Sequence, residues 1–549
     1  MLPSGVKCTV TVILQQDSSL YLNLLLLIAC RSLSRARLTV PDAQSQEKIH
    51  RSQGTTTSER LLADLGERAF LDLWSYPNLF YDKKQRGKGD GKELCDMLVV
   101  CGDDVIIFSD KAAAWPAVDD LKVAWPRYYR KAIEGAVKQI NGASRWLTEF
   151  PEKIYTDHGC TQRLPIPLPP MTTRRVHGVV VAGGAYKAIQ THLGDDSGSF
   201  YILPSLKGEE HTYTNAKGYI PFAVGDVNPG GLFIHVFDHV SINRVLTELD
   251  TITDFTRYLN DRAEYLRSGK LLMAHGEEEL LARYLLVGME TGKRDFEHPQ
   301  LKKMRKKDKK GNTIVNTTIQ GEWKSYIFSD GYLGKTLANR HSYAWDKLIG
   351  EFTKNILAGT SVSMFGETPQ ADLAEPALRI MAQETRFARR VLGQAFVGTI
   401  QDSLDRRLDR FVRVVTPGSI NPKVAYIFMI LAYSKDLEES GVVPDYNKYR
   451  GVRVNMLEAY CWNVLVDNRH LDTAVGIAMD ASSLHTGRAP GGSEDLMAVH
   501  VDEWSDEMIA HAQTLRERFD VLRKGRLEQF GGRQYEYPRP GWTTNRRRP

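Results

Sequence analysis

ELCDMLVVCGDDVIIFSDK, Glu93 to Lys111, is the stretch that decides the fold. Two apolar runs, 93–100 and 104–111, are separated only by Cys101, Gly102 and Asp103. A tight turn there makes a β-hairpin. Pairing Val100 with Val105 sets Asp96 opposite Ser109 and Leu94 opposite Lys111. Alternate strand residues share a face. Asp96, Ser109 and Lys111 therefore lie on one face, with Glu93, Cys95 and Asp110 on the other. A slip of one residue would reverse that assignment. A carboxylate inside an apolar strand must be hydrogen-bonded, paired or metal-bound, which marks Asp96 as a candidate site residue.

Outward from the hairpin, the chain reads as alternating helices and strands. A helix capped by Thr57 or Ser58 runs to about Trp74. Arg60, Asp64, Arg68 and Asp72 give it a charged face, and Leu62, Leu65, Ala69 and Leu73 an apolar one. A strand at 78–84 and a glycine-rich loop at 86–92 precede the hairpin. After it comes a helix with Pro126 at its first position, ending near Phe150. Strands follow at 176–183, 199–206 and 231–238, then one long helix from Ser241. This order predicts an α/β domain with a central mixed sheet flanked by helices. A larger, mainly α C-terminal α+β region follows, with strands at 424–434 and 473–482. The expected divisions are a flexible extension (1–54), the first domain (55–270), a basic connecting region (271–345), the α+β domain (346–535) and a disordered tail (536–549).

Composition narrows the function classes. The chain of 549 residues carries 72 basic and 67 acidic residues, a net charge of +5, too mild to imply nucleic-acid binding unless the charge is clustered. The six cysteines form no CxxC pair, which removes zinc ribbons and thioredoxin-type redox sites. Scattered cysteines in a large chain fit a reducing, cytoplasmic setting. The apolar run Leu20–Cys30 is too short to span a bilayer, so no membrane partner is expected. It lacks the layout of a signal peptide and reads as an extension from a start placed too early. Gly334-Lys335-Thr336 is not a phosphate loop, because Ser329 stands where that motif needs glycine. His235 and Asp238 face opposite sides of a strand and do not form a metal pair.

Taken together, the first helix, the hairpin and the helix after it resemble the PD-(D/E)xK nuclease superfamily, over roughly residues 58–182. That family places an acid on the first helix, an aspartate on one hairpin strand and an acid-x-lysine motif on the next. A helix that often carries glutamine follows. Here those positions hold Glu67, Asp96, Ser109-Asp110-Lys111 and Gln139. The resemblance implies a restriction-endonuclease-like core and a Mg²⁺- (or Mn²⁺-) dependent endonuclease. Its expected substrate is DNA rather than RNA, and restriction or defence is a possible setting. Asp96 and Glu67 would hold the metal, Lys111 would orient water or stabilise charge, and Gln139 would help position the substrate.

The departure is Ser109, which stands where the family has an acid and is a poor Mg²⁺ ligand. Glu67, or Asp110 on a bulged strand end, would have to replace it. The alternative is a catalytically degenerate fold that binds nucleic acid without cutting. Arg127, Lys131, Lys138 and Arg145 make a basic stripe on the second helix, and Lys302 to Lys310 a basic loop. Each is either a phosphate-tracking surface or a solvated face. A structural or interaction protein with no nucleic-acid role is the third reading.

Overall fold

The computed structural model describes residues 49, 51–82, 91–194, 198–215, 219–304, 317–358, 371–406, 408, 410–416, 422–431, 446–480, 494–522 and 534–538. The Leu20–Cys30 run, most of the glycine-rich loop, the basic loop beyond Met304 and the tail beyond Pro538 lie outside them.

Helix α1 (Thr57–Phe70) opens on a capping box. The Thr56 side chain accepts from the Glu59 amide, and the Glu59 side chain reaches back to the Thr56 amide. Leu71 adopts a positive φ of 64° and stops the helix short of Trp74. The next strand consequently starts early, as β1 (Ser75–Tyr81). β2 (Lys92–Cys101) and β3 (Asp104–Ala112) form the hairpin in the expected register, Val100 against Val105 and Met97 against Phe108.

The following helix departs from expectation. Asp120 caps α2 (Leu121–Tyr129), so Pro126 sits inside the helix rather than at its start. A π-helical turn, Arg130–Glu134, then leads into α3 (Gly135–Glu149). β4 (Arg175–Gly183) lies parallel to β3 and carries the buried run of valines.

The run at 199–206 forms β5 (Tyr201–Lys207) but in another sheet, beside β6 (Ala223–Asp226). β7 (Ile234–Phe237) returns to pair parallel with β4. The central sheet therefore has the order β1-β2-β3-β4-β7 and is mixed, antiparallel through the hairpin and parallel beyond it. Helix α1 packs against β1, β2 and β3, and α3 against β2, β3 and β4. The β1 edge is partly closed, because Phe80 and Tyr155 exchange both backbone hydrogen bonds at 2.9 Å.

The long helix expected from Ser241 is two helices, α4 (His239–Glu248) and α5 (Ile252–Arg267). Asp238 caps the first, accepting from the Val240 and Ser241 amides, and Thr251 caps the second. The region read as a basic connector contributes to a sheet. Within it, β8 (Leu271–Ala274) pairs with β5 and β9 (Thr317–Ile319) pairs with β8. The segment 534–538 is also placed. Arg390 donates to the Tyr535 and Glu536 carbonyls, Arg294 pairs with Glu536, and the tail expected from 536 is held as far as Pro538.

The C-terminal sheet has the order β10 (Arg410–Val415), β11 (Val424–Leu431), β12 (Thr473–Asp480), β13 (Glu494–His500). Alternation sorts β11 cleanly. Tyr426 and Phe428 join the apolar core that reaches back to the central sheet, while Ala425, Ile427 and Met429 join a separate core. That second core is closed by the helices Tyr446–Asp467 and Asp506–Phe519. No described helix is long and apolar enough to cross a membrane.

Candidate active site

The hairpin register brings Asp96 and Lys111 together. Asp96 is 4% exposed, and its Oδ2 accepts from Lys111 Nζ at 3.3 Å and from the Asp110 amide at 2.8 Å. Burial pushes the Asp96 carboxyl above its ordinary range, while Lys111 and the Asp110 amide pull against it. Ser109 is fully buried on this face, and its hydroxyl donates to Gln139 Oε1 at 2.8 Å. Asp96 with Lys111, and Ser109 with Gln139, are thus two adjoining pairs at one end of β3.

Asp110 does not turn toward them. Its carboxylate accepts from the Ser58 hydroxyl and lies 3.1 Å from His239 Nε2, while Ser58 Oγ lies 2.9 Å from the same nitrogen. Serine, histidine and aspartate suggest a nucleophilic triad, but a triad uses both ring nitrogens in series. Here Ser58 and Asp110 both meet Nε2, so the arrangement is a closed polar cluster. It pins the start of α1 to the end of β3. Gly183 makes room for it, since a Cβ there would lie 2.4 Å from the His239 ring.

Glu67 is not brought into either group. Its side chain is 59% exposed and its ion pair, at 3.9 Å, goes to Arg51, which also binds the Ser75 carbonyl. Ser75 pairs with Val99, three residues along β2 from Asp96. Glu67 also lies nine residues beyond Ser58, about 13 Å along the helix axis. The metal-ligand role expected for Glu67 has no support from this placement.

Two further acids couple to the hairpin pair by charge: Asp110 acts on Asp96, and Glu93 feels both Asp96 and Lys111. Glu93 is exposed at the strand end, but desolvation by the protein around it raises its pKa first, the negative charge of Asp96 adds to that, and Lys111 and Asn78 oppose both. Strict alternation sets Glu93 on the face away from Asp96. The β1–β2 ladder breaks that alternation: Leu79 pairs with Cys95 and Phe80 with Glu93, leaving Leu94 as an extra residue. A bulge of this kind re-aims the strand end. The run ELCDMLVV does not reveal it, because the bulge depends on β1.

Glu59, beside Asn78, was also missed as a site neighbour. Its signal was present in the sequence as Thr56-x-x-Glu59, the capping-box pattern. Burial opposes its ionisation, but hydrogen bonds from Thr55, Asn78 and Thr56 outweigh burial and hold Glu59 down to about 2. A folded-state pKa below the ordinary 4.5 gives stability that is present above 4.5 and lost as pH falls toward 2. Glu59→Gln is therefore expected to flatten the acid limb of a urea-stability profile between those values. An unchanged slope would show that these hydrogen bonds do not favour the carboxylate.

Asp96 and Glu93 are acceptable donors for a hard divalent cation, which commonly takes one or two carboxylates and completes its shell with water and substrate phosphates. Among the described residues, no group of three or more histidine, cysteine, aspartate or glutamate side chains could hold a metal ion. The basic residues Arg127, Lys131, Lys138 and Arg145 are all exposed along α2, the π-helical turn and α3, and Lys138 is paired with Glu134. The chain matches no family model, no curated protein and no solved structure.

Proposed function

We propose that residues 57–183 form a restriction-endonuclease-like unit of PD-(D/E)xK type, acting as a Mg²⁺- or Mn²⁺-dependent nuclease on DNA. The observation that carries this reading is the Asp96–Lys111 pair at 3.3 Å on adjacent hairpin strands, with the charges of both acting on Glu93. The element order α1-β1-β2-β3-α2-α3-β4 and the change from antiparallel to parallel pairing at β3 support it. Asp96 and Glu93 would hold the metal, which polarises phosphate and activates water when bound. Both carboxyls have raised pKa values, Asp96 from burial and the exposed Glu93 from desolvation by neighbouring protein and from Asp96, so a nearby cation would favour their ionised forms. Lys111 supplies a fixed positive charge beside them. The test is plasmid cleavage by the full chain with Mg²⁺ or Mn²⁺. Cleavage that disappears in Asp96→Ala and persists in Glu67→Ala is the expected result. Cleavage that survives Asp96→Ala would overturn it.

One observation favours a second reading, in which the unit binds DNA without cutting. The Ser109 hydroxyl occupies the position of the missing acid and is committed to Gln139. In that case no cleavage occurs with either metal, and DNA retention is strong at low salt and falls steeply as salt rises.

A further inference from the structure

A cavity of about 420 Å³ opens at the other end of β3, where the parallel strands begin. It lies between Asp104 and Arg175 at the starts of β3 and β4, one face of α5, and Ile380, Gln383 and Glu384 around the end of helix α6 (Ala371–Ala382). Asp104 and Lys111 are seven residues apart on β3, so about 20 Å of strand separates this cavity from the Asp96 site.

Its wall is polar and fixed. Glu384 is 2% exposed, and one carboxylate oxygen accepts from the Tyr426 hydroxyl at 2.8 Å. The other oxygen, Oε2, is buried with no hydrogen-bond partner. Burial raises this carboxyl to about 7. Gln383 is held from two sides. Its carbonyl accepts from Thr253, and its amide packs on Gly102 of the hairpin turn, where a Cβ would lie 2.1 Å away. Asn260 adds a second amide. Two guanidinium groups and the carboxylate of Asp261 also line it. Arg257 is exposed, and Arg175 is about half exposed while bound to Asp104 at 2.8 Å.

A buried acceptor without a donor is a costly group to leave unmade. The remaining lining sets amides and cations around it, and the two other carboxylates there are already engaged, Asp104 by Arg175 and Asp261 by the Tyr284 hydroxyl at 2.8 Å. We propose that this cavity binds a small molecule with paired N–H donors at one end, which Glu384 accepts, and an anionic group at the other, which Arg257 and Arg175 hold. Its volume falls within the usual range for small-molecule sites. Guanine nucleotides have this chemistry through the base edge and phosphate. Arginine has it through its guanidinium and carboxylate.

The experiment is calorimetric titration of the full chain with guanosine 5′-monophosphate, L-arginine and adenosine 5′-monophosphate, whose base lacks the paired donors. The expected result is a Kd below about 1 mM for one of the first two probes, and none for the third. Glu384→Gln, which keeps an acceptor for Tyr426, is expected to weaken binding at least ~10-fold, and Arg257→Ala similarly. Arg257 is exposed, so its variant serves if Glu384→Gln does not fold. No binding by either donor-bearing probe, equal binding of the adenine nucleotide, or affinity unchanged in the variants would overturn the proposal. The nuclease reading stands or falls separately, on cleavage.

Discussion

Lys111→Met is expected to lower metal-dependent cleavage about 10²–10³-fold, the usual cost of deleting one fixed charge-stabilising group. The methionine keeps the length and apolar stem of a side chain that is 32% exposed, so the strand end has no packing reason to rearrange. What changes is electrostatic. Among the described residues the ammonium is the one side-chain cation bound to Asp96, and without it Asp96 Oδ2 retains the Asp110 amide. The Asp96 pKa, already raised by burial, then rises further. A carboxyl with a folded-state pKa above its ordinary 3.8 contributes stability below that value and loses it as pH rises through the folded pKa. Stability of the variant should therefore match the parent in acid and fall below it toward neutral and alkaline pH. Paired urea melts across that range, with initial cleavage rates, measure both effects. Full cleavage by Lys111→Met would remove the lysine from the machinery, whatever its effect on stability.

Arg386→Met is expected to carry the largest stability loss, about 3–5 kcal/mol. Arg386 opens the helix Arg386–Arg406 and is 2% exposed. Its Nε donates to Asp250 at 2.7 Å, and its Nη1 to Asp346 at 2.6 Å and to Ser342 at 3.1 Å. Its Nη2 reaches the Asp250 carbonyl, and its amide the buried Asp254. The guanidinium also lies 4.6 Å from the centre of the Tyr343 ring. Truncation removes the cation from the buried Asp250 carboxylate and leaves it the Tyr343 hydroxyl at 2.9 Å, whereas Asp346 keeps Arg389 at 2.7 Å. Asp250→Asn added to Arg386→Met should recover part of the loss, because the stranded charge is gone. Urea midpoints of the single and double variants measure this. A single-variant loss under about 1 kcal/mol would show that Asp250 finds another partner or protonates without penalty.

These two sites differ in how far the sequence reveals them. The hairpin register follows from the short turn around Gly102 and from apolar alternation, both encoded within twenty residues. Asp96, Ser109 and Lys111 therefore fall on one face from sequence alone, whereas Gln139 enters only through the resemblance and its hydrogen bond with Ser109 depends on how α3 is docked. Glu67 was placed by its position in the helix, but which acid on α1 approaches the hairpin depends on how the helix is docked. That docking is set by Ser58 meeting Asp110 and Gly66 seating against Met97, contacts between residues far apart in the chain. The break between α4 and α5 was hidden for a similar reason. Leu249 to Thr251 sit within a helical apolar pattern, yet Thr251 caps a new helix and Asp250 is held by Arg386, 136 residues away. The Glu384 cavity depends on residues 104, 175, 257 and 384 meeting in space, and no local pattern marks it.

The bridge between Phe80 and Tyr155 has a consequence for how these molecules behave in company. An edge strand of this sheet, beside the ten-residue and largely buried β2, would ordinarily be a template for a strand from another chain. Pro77 offers no amide to such a visitor, Asn78 turns the backbone to a φ of 50°, and Phe80 is already paired. Little more than the start of the strand remains open to recruitment. Domain swapping and amyloid-type stacking are thereby disfavoured along β1, and a crowded solution of this protein gains colloidal safety from three adjacent interruptions.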